Sequence, residues 1–391
     1  MWGIWQTPRP LRTGDGNLEG RGWPLRCLAL ALLLGGPGAT ADEPEALRLP
    51  PELSSWEHWV NVRVRGGYDD NVLLSSFSPE GSAFLGGGLE AMVWRTIGER
   101  TTVEAFVNGD YRQFLTAANV HNEADAFGLV QVKHDWPDAW RVTGAFEYLY
   151  QDQILDVSAT EPTLEVVAVQ GHTFIVRPTV RRQLGGGWVE LELPAEGQLF
   201  HSPLDDTRQV APRLTGGLPL GGRDDLTLSY AYAHTWYETE PDRAADGTAV
   251  PGTRRQMTDQ DVRLGWKHVW DEARRWQTTA RVSGRWTADH ASGYYDYTRA
   301  QAFLQVRYRS REWEFSGDAR FTHFHYPVQT VSATDPAHRL RSEITGNLAA
   351  ERALTPWLKL FVDYTFDRTY GNRPEDEYTV NTVSAGLNFE F

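Results

Sequence analysis

The end of the chain constrains its fold most. Between Tyr378 and Phe391 the odd positions Val383, Ala385, Leu387, Phe389 and Phe391 are apolar, while Thr382, Ser384, Gly386, Asn388 and Glu390 are small or polar. A period of two puts every second side chain on one face, so this segment is a strand with one apolar side. The same alternation recurs upstream: Leu358, Leu360, Val362, Tyr364 and Phe366 alternate with Lys359, Asp363, Thr365 and Asp367, and Leu226, Leu228, Tyr230 and Tyr232 with Thr227, Ser229, Ala231 and Ala233. A chain made of such segments folds either as two packed sheets or as one sheet closed on itself.

The connections separate these two outcomes. Sixteen segments satisfy the pattern: 57-69, 82-95, 100-114, 124-135, 139-152, 170-183, 188-200, 207-219, 224-238, 258-270, 275-288, 295-309, 312-326, 338-351, 357-370 and 378-391. Every second connection is tight, as at Ile97-Gly98-Glu99, Pro137-Asp138, Gly185-Gly186-Gly187, Gly221-Gly222-Arg223 and Thr355-Pro356. The others are mostly longer and more polar, with Gln153 to Val169 and Glu240 to Met257 standing out. Short turns on one rim, long loops on the other and an even strand number specify an all-β, transmembrane antiparallel up-and-down β-barrel. About sixteen strands are expected, with fourteen the nearest alternative because Gly185 to Leu220 is rich in Gly and Pro. Eight tryptophans, Trp94, Trp136, Trp140, Trp188, Trp270, Trp276, Trp313 and Trp357, fall at the short-turn ends and read as an aromatic girdle.

Composition agrees with a membrane protein that crosses with strands. The chain has 391 residues, 41% of them hydrophobic, and a mean hydropathy of -0.47, because only alternate strand residues meet lipid. The one apolar run, Cys27 to Leu34, is short of the roughly 20 residues a spanning helix needs. It follows Arg21 and Arg26 and precedes Gly35-Gly36-Pro37-Gly38 and Ala39-Thr40-Ala41, the order of a secretory signal peptide. The organisation expected is therefore 1-41 leader, 42-56 periplasmic tether and 57-391 barrel. The only cysteine leaves with the leader. Residues 1-41 carry four Arg and two acids, so the net charge of -14 less +2 leaves -16 on the mature chain, which argues against a nucleic-acid partner.

On these residues the chain resembles the Gram-negative outer-membrane β-barrel superfamily from about residue 57 onward. The resemblance is sharpest in Val383 to Phe391 (VSAGLNFEF), and it implies that Phe391, with Phe389, is the signal read by the barrel-assembly machinery. Sixteen strands is also the number found in general porins, although no porin-specific motif is present. Gly67-Tyr68-Asp69-Asp70-Asn71-Val72 is similar to the first hairpin of assorted barrels, and its Gly, Asp and Asn suit any loop.

Strand parity assigns an interior, and that interior is charged. Arg263, Lys267, Arg281, Arg285, Arg299, Arg307, Arg309, Arg320, Arg339 and Arg341 fall on inward positions of the segments from 258 to 351. Glu104, Asp110, Glu147, Glu190 and Glu192 do so on the earlier segments. A basic wall facing an acidic one creates a transverse field in a water-filled pore and favours polar or anionic solutes. The simpler alternative, compatible with the first, is that these Arg pair with inward acids such as Glu314, Asp318 and Glu343. The loop Gln153 to Val169 either narrows the lumen, presenting Asp156, Glu161 and Glu165, or simply prolongs its hairpin beyond the membrane. Ser229 and Ser283 face inward but His234, His268, His323 and His325 face outward, so no nucleophile meets a base. No metal-ligand spacing, phosphate loop or nucleotide fingerprint occurs, so neither cofactor nor metal is expected.

The sequence thus points to an outer-membrane pore, not an enzyme, for diffusion or uptake of small polar or anionic solutes, with lipid and the assembly machinery as partners. The alternative is an accessory barrel of envelope or exopolysaccharide biogenesis or export, and a third reading is an outer-membrane hydrolase. One prediction follows directly. Deleting Phe391, or replacing it with a charged residue, should lower the amount of heat-modifiable folded barrel in the outer membrane while export continues; wild-type levels would contradict the assignment.

Overall fold

The computed structural model describes residues 56–391 apart from 161–165, 202 and 333. The leader expected at 1-41, and the tether up to residue 55, lie outside the described residues, as do Glu161 and Glu165. Eighteen strand segments form one antiparallel sheet: β1 (Glu57–Asp69), β2 (Ser82–Ile97), β3 (Thr101–Phe114), β4 (Asn122–Trp136), β5 (Trp140–Asp156), β6 (Val166–Leu184), β7 (Gly187–Glu192), β8 (Ala195–Phe200), β9 (Thr207–Val210), β10 (Arg213–Leu220), β11 (Asp224–Tyr237), β12 (Gln256–Val269), β13 (Trp276–Asp289), β14 (Tyr297–Arg309), β15 (Trp313–Thr330), β16 (His338–Thr355), β17 (Leu358–Gly371) and β18 (Tyr378–Glu390). A short 3-10 turn, η1 (Pro374–Asp376), precedes β18.

The ring has sixteen strands, because β7 and β8 are two halves of one strand and β9 and β10 two halves of the next. Both halves of each pair the same neighbour. The breaks fall at Pro194 and Pro212, level with Pro178 on β6. Proline has no N–H to give the ladder, so the chain steps across: Leu193 N donates to Pro178 O (3.0 Å), Ala211 N to Pro194 O (3.0 Å) and Tyr232 N to Pro212 O (3.0 Å). The Gly- and Pro-rich stretch that made fourteen strands conceivable is thus a row of interrupted strands, all of which stay in the sheet.

The ring closes between the first and last strands, with Asn61 opposite Glu390 and Asp69 opposite Thr382. At the short-turn rim Phe391 N donates to Val60 O (2.8 Å) and Val60 N to Phe391 O (3.1 Å). The Asp69-Asp70-Asn71 stretch seals the other end of the seam. Asp70 accepts from the backbone N and the amide of Asn381 (both 2.7 Å), and Asp69 accepts from Thr382 Oγ1 (2.7 Å). Asn71, only 2% exposed, donates to Ser75 O (2.9 Å) and Thr379 O (3.1 Å) and accepts from Ser75 N (3.0 Å). The motif is a closure device, which a reading as loop-forming residues did not anticipate.

The seven short turns fit tight reversals. Asp138 and Ala139 both have positive φ (62° and 63°), as do Gly221 and Gly222 (59° and 74°), the backbone a two-residue hairpin requires. Outward positions carry an apolar band, including Val64, Leu89, Val130, Phe146, Leu228, Leu264, Leu304 and Leu348, all exposed. The tryptophan girdle needs one correction. Trp136, Trp140, Trp270, Trp276, Trp313 and Trp357 are exposed near the short-turn rim, but Trp94 and Trp188 sit on the inward parity of β2 and β7. Trp188 packs inside, with the Arg181 guanidinium 3.9 Å from its ring and Gly217 beside it, a place where a Cβ would collide with the indole.

Asn71→Ala should lower the unfolding free energy of the refolded barrel by about 1–3 kcal/mol, since it leaves buried backbone groups without partners. Urea titration followed by heat-modifiability measures this; an unchanged midpoint would show that the seam does not depend on Asn71.

Candidate functional site: a strut across the lumen

The interior face is identified by contacts that cross the ring. β5 and β6 run on together to the pair Asp156–Val166, so the hairpin is prolonged as one of the two sequence readings expected. Its tip then turns inward. Val157 and Ser158 are 1% and 3% exposed, and Thr160 N donates to Val157 O (3.0 Å) to close a turn. This tip reaches β15 and β16, on the wall opposite β5 in a ring of sixteen. Tyr326 OH on β15 donates to Ala159 O (2.8 Å). On β16, Arg339 Nη1 donates to Ser158 O (2.9 Å), and Arg341 donates to Asp156 Oδ2 (2.6 Å) and Ser158 Oγ. The base of the loop prolongs the hairpin and its tip enters the lumen, where Asp156 meets Arg341; Glu161 and Glu165 lie outside the described residues.

Each end of the strut is packed as well as bonded. Leu155, Val157 and Val169 form a buried cluster with Val167, Phe200 and Leu204 against it, and Ala159 rests on Tyr297, Phe324 and Tyr326 across the lumen. The two arginines that receive it are fully buried. Arg339 also donates twice to Asp376 of η1 (2.7 and 2.9 Å) and once to Gln329 Oε1 (3.1 Å); Arg341 donates to Glu343 (2.9 Å). Burial of a guanidinium is tolerable only with such complete pairing. Arg339 and Arg341, expected among pore-lining cations, are anchors of the strut with 0% and 1% exposure and do not face open water.

The remaining residues singled out by parity lie on the same interior face, arranged by wall. On β12 to β14, Asp261 is a hub: Arg285 and Arg299 stand 3.5 Å from its carboxylate and Arg263 3.7 Å. Below them Arg281 stacks on Phe303 (4.9 Å) near Arg320, Arg307 pairs with Glu314 (2.7 Å), and Lys267 lies level with Thr279. Arg309 pairs with Glu314 (2.8 Å) at the exposed rim. On the facing wall Glu104 takes Lys133 (2.8 Å), Glu147 takes Arg177 (2.9 Å), Glu192 takes Arg213 (3.4 Å), and Glu190 lies in the field of Arg181 and Arg141. Asp110 binds Arg65 closely and stands 3.8 Å from Arg112.

Pairing is therefore general, but the two walls remain unequal. On β12 to β15 the interior holds Arg263, Lys267, Arg281, Arg285, Arg299, Arg307, Arg309 and Arg320 against Asp259, Asp261, Asp289, Glu314 and Asp318. On β3 to β8 it holds Glu104, Asp110, Glu123, Asp125, Asp135, Glu147, Glu190, Glu192 and Glu196 against Arg112, Lys133, Arg141, Arg177 and Arg181. Asp261 and Arg65, not singled out from the sequence, share the inward parity of their strands; Arg339 and Arg341 are placed inward by parity, but nothing in the sequence marks them as the strut's anchors, because the loop that lands on them has no period.

Beside the strut, the loop between β11 and β12 is fixed by Asp205, which accepts from Thr239 Oγ1 (2.6 Å), Thr239 N (2.8 Å) and Glu240 N (2.9 Å). Burial alone would raise this carboxyl, and the hydrogen bonds, that of the Thr239 hydroxyl foremost, outweigh it and hold the group below its ordinary value. Arg255, 1% exposed, lies between the rings of Tyr237 (3.4 Å) and Tyr295 (4.3 Å).

Arg341→Gln should cut the strut's principal tether and leave Asp156 buried without its cation, at a cost of about 3–5 kcal/mol. In planar bilayers the variant should show larger or noisier conductance steps than the wild type; identical steps would show that the strut does not set the aperture.

No protein-family model matches the sequence, and no curated protein matches it. Among solved structures the chain is similar to OccAB1 of Acinetobacter baumannii (9% identity, 86% of this chain and 96% of that one, TM-score 0.46). It is also similar to the anion-selective porin of Comamonas acidovorans (11%, 86% and 99%, 0.43) and to OprD of Pseudomonas aeruginosa (10%, 85% and 94%, 0.43). At these identities the likeness concerns fold. A closed sixteen-strand antiparallel ring with an apolar exterior, a charged interior and loops sorted by length is the architecture of a transmembrane β-barrel.

Proposed function

We propose that the barrel is an outer-membrane pore for small polar solutes, biased towards anions by its arginine-rich wall. The observation that carries this reading is that the interior charges are paired yet keep contact with solvent. The side chains of Arg263, Lys133 and Arg63 retain 39%, 35% and 32% of their exposure. A ring of sixteen strands is too wide for its own side chains to fill, so water occupies what the strut leaves. The strut narrows the long-loop mouth and sets a size limit, while the Arg263–Arg285–Arg299 group around one carboxylate leaves excess positive charge on the path just beyond it.

The same reading includes the route to the membrane. Residues 1-41 would direct export, and β18, ending in Phe389 and Phe391, would be read by the assembly machinery. Phe389 stacks on Trp357 at the short-turn rim and Phe391 closes the last ladder pair with Val60.

Ions in a pore feel mainly the charges within about a Debye length of their path, roughly 8 Å at physiological ionic strength. The whole-chain negative charge is therefore less relevant than the local arginines. Replacing Arg281, Arg285 and Arg307 together with Gln should shift the reversal potential in a salt gradient towards cations. An unchanged reversal potential in a conducting barrel would mean that their acidic neighbours neutralise them, and absence of any conductance would overturn the pore itself.

A further inference from the structure

Under the strut, between Thr160 and the wall from β5 to β14, lies a cavity of about 150 Å³. That is well above the roughly 10–15 Å³ that one water needs by the same measure, so the cavity admits a small solute. Its charged lining groups are already engaged. Asp205 holds the β11–β12 loop, Asp259 accepts the Thr287 hydroxyl, Glu196 accepts from Gln198, and Arg285 is drawn towards Asp261.

What remains open is amide. Gln151 and Gln153 stand two residues apart on the interior face of β5, and among the described residues their carboxamides have no hydrogen-bond partner. Across the cavity Gln209 spends an N–H on Thr235 Oγ1 (2.7 Å) and keeps its carbonyl oxygen. A carboxamide presents a donor and an acceptor side by side, as a hydroxyl does, and carries no charge to compensate an ion. An apolar solute here would leave these amides unpaired, which a site built on hydrogen bonds discriminates against strongly.

We infer that this cavity is a subsite for a neutral polyhydroxylated solute, a saccharide unit, at the mouth of the pore. The inference rests on the pore reading and specifies its solute. Arg285 both lines the cavity and belongs to the arginine group around Asp261, so the recognition of sugar hydroxyls and the bias among ions meet on one path.

The test uses the full-length barrel in planar bilayers in KCl, with glucose, maltose, sucrose and gluconate added in turn, and calorimetry of the same sugars with the detergent-solubilised protein. Neutral sugars should reduce the ion current in a saturable way. Gln151→Leu/Gln153→Leu, with the milder Gln151→Asn/Gln153→Asn as a second variant, should raise the half-blocking concentration about tenfold, and Gln131→Leu on β4, outside the cavity, should not. Current without block or binding by any neutral sugar, or tighter binding of gluconate than of glucose, would overturn the subsite. Sugar binding in calorimetry without any current would instead overturn the pore reading and leave the subsite standing.

Discussion

A backbone N–H facing hydrocarbon has no water to bond, so a sheet that enters a bilayer must pair both of its edges. That requirement governs the molecule. It demands the β1–β18 seam, where Asn61 meets Glu390 and the Asp69-Asp70-Asn71 stretch binds Asn381, Thr382 and Thr379. It also explains why Pro194 and Pro212, level with Pro178 of the unbroken β6, interrupt two neighbouring strands without opening the sheet: each missing N–H is bypassed locally, and the flanking segments re-pair with the same neighbours.

Closure creates the second problem, a lumen wider than its lining, and the strut is the answer to it. A short turn of chain would not cross a water-filled space without a favourable landing, because ordering it costs entropy with no apolar burial in return. Here the landing is dense. Buried arginines from one strand, a tyrosine hydroxyl from the next and an aromatic pad under Ala159 receive Asp156, Ser158 and Ala159. The arginines, in turn, tolerate burial because Asp156, Glu343 and Asp376 face them. The proposed function rests on what this arrangement leaves open: a cavity with amides in its lining and two walls of opposite bias.

Much of this was legible in the sequence because strand parity is a two-state code. A residue such as Arg299 or Glu147 announces its side of the sheet by its neighbours, and the tight turns at Asp138 and Gly221 announce their rim. Where a second force competes with parity, the reading weakens. Trp94 and Trp188 look like girdle residues by position, yet their parity turns them inside, where Trp188 stacks on Arg181. Arg339 and Arg341 sit on inward positions like the other arginines, and only the loop that lands on them makes them structural. Asn71 could be read as a loop residue but not as the clasp of a seam whose other half lies more than three hundred positions later. Long-range partners of loops have no period and leave no mark in a single sequence.

The central claim is that residues 157–160 span the lumen to the opposite wall. Placing a small diazirine amino acid at Ala159 and irradiating the folded barrel in native outer membrane, followed by mass spectrometry of the cross-linked peptides, tests it directly. The account predicts cross-links to the segment around Phe324 and Tyr326 on β15. Cross-links confined to neighbouring loops or to lipid, with none to β15, would contradict it.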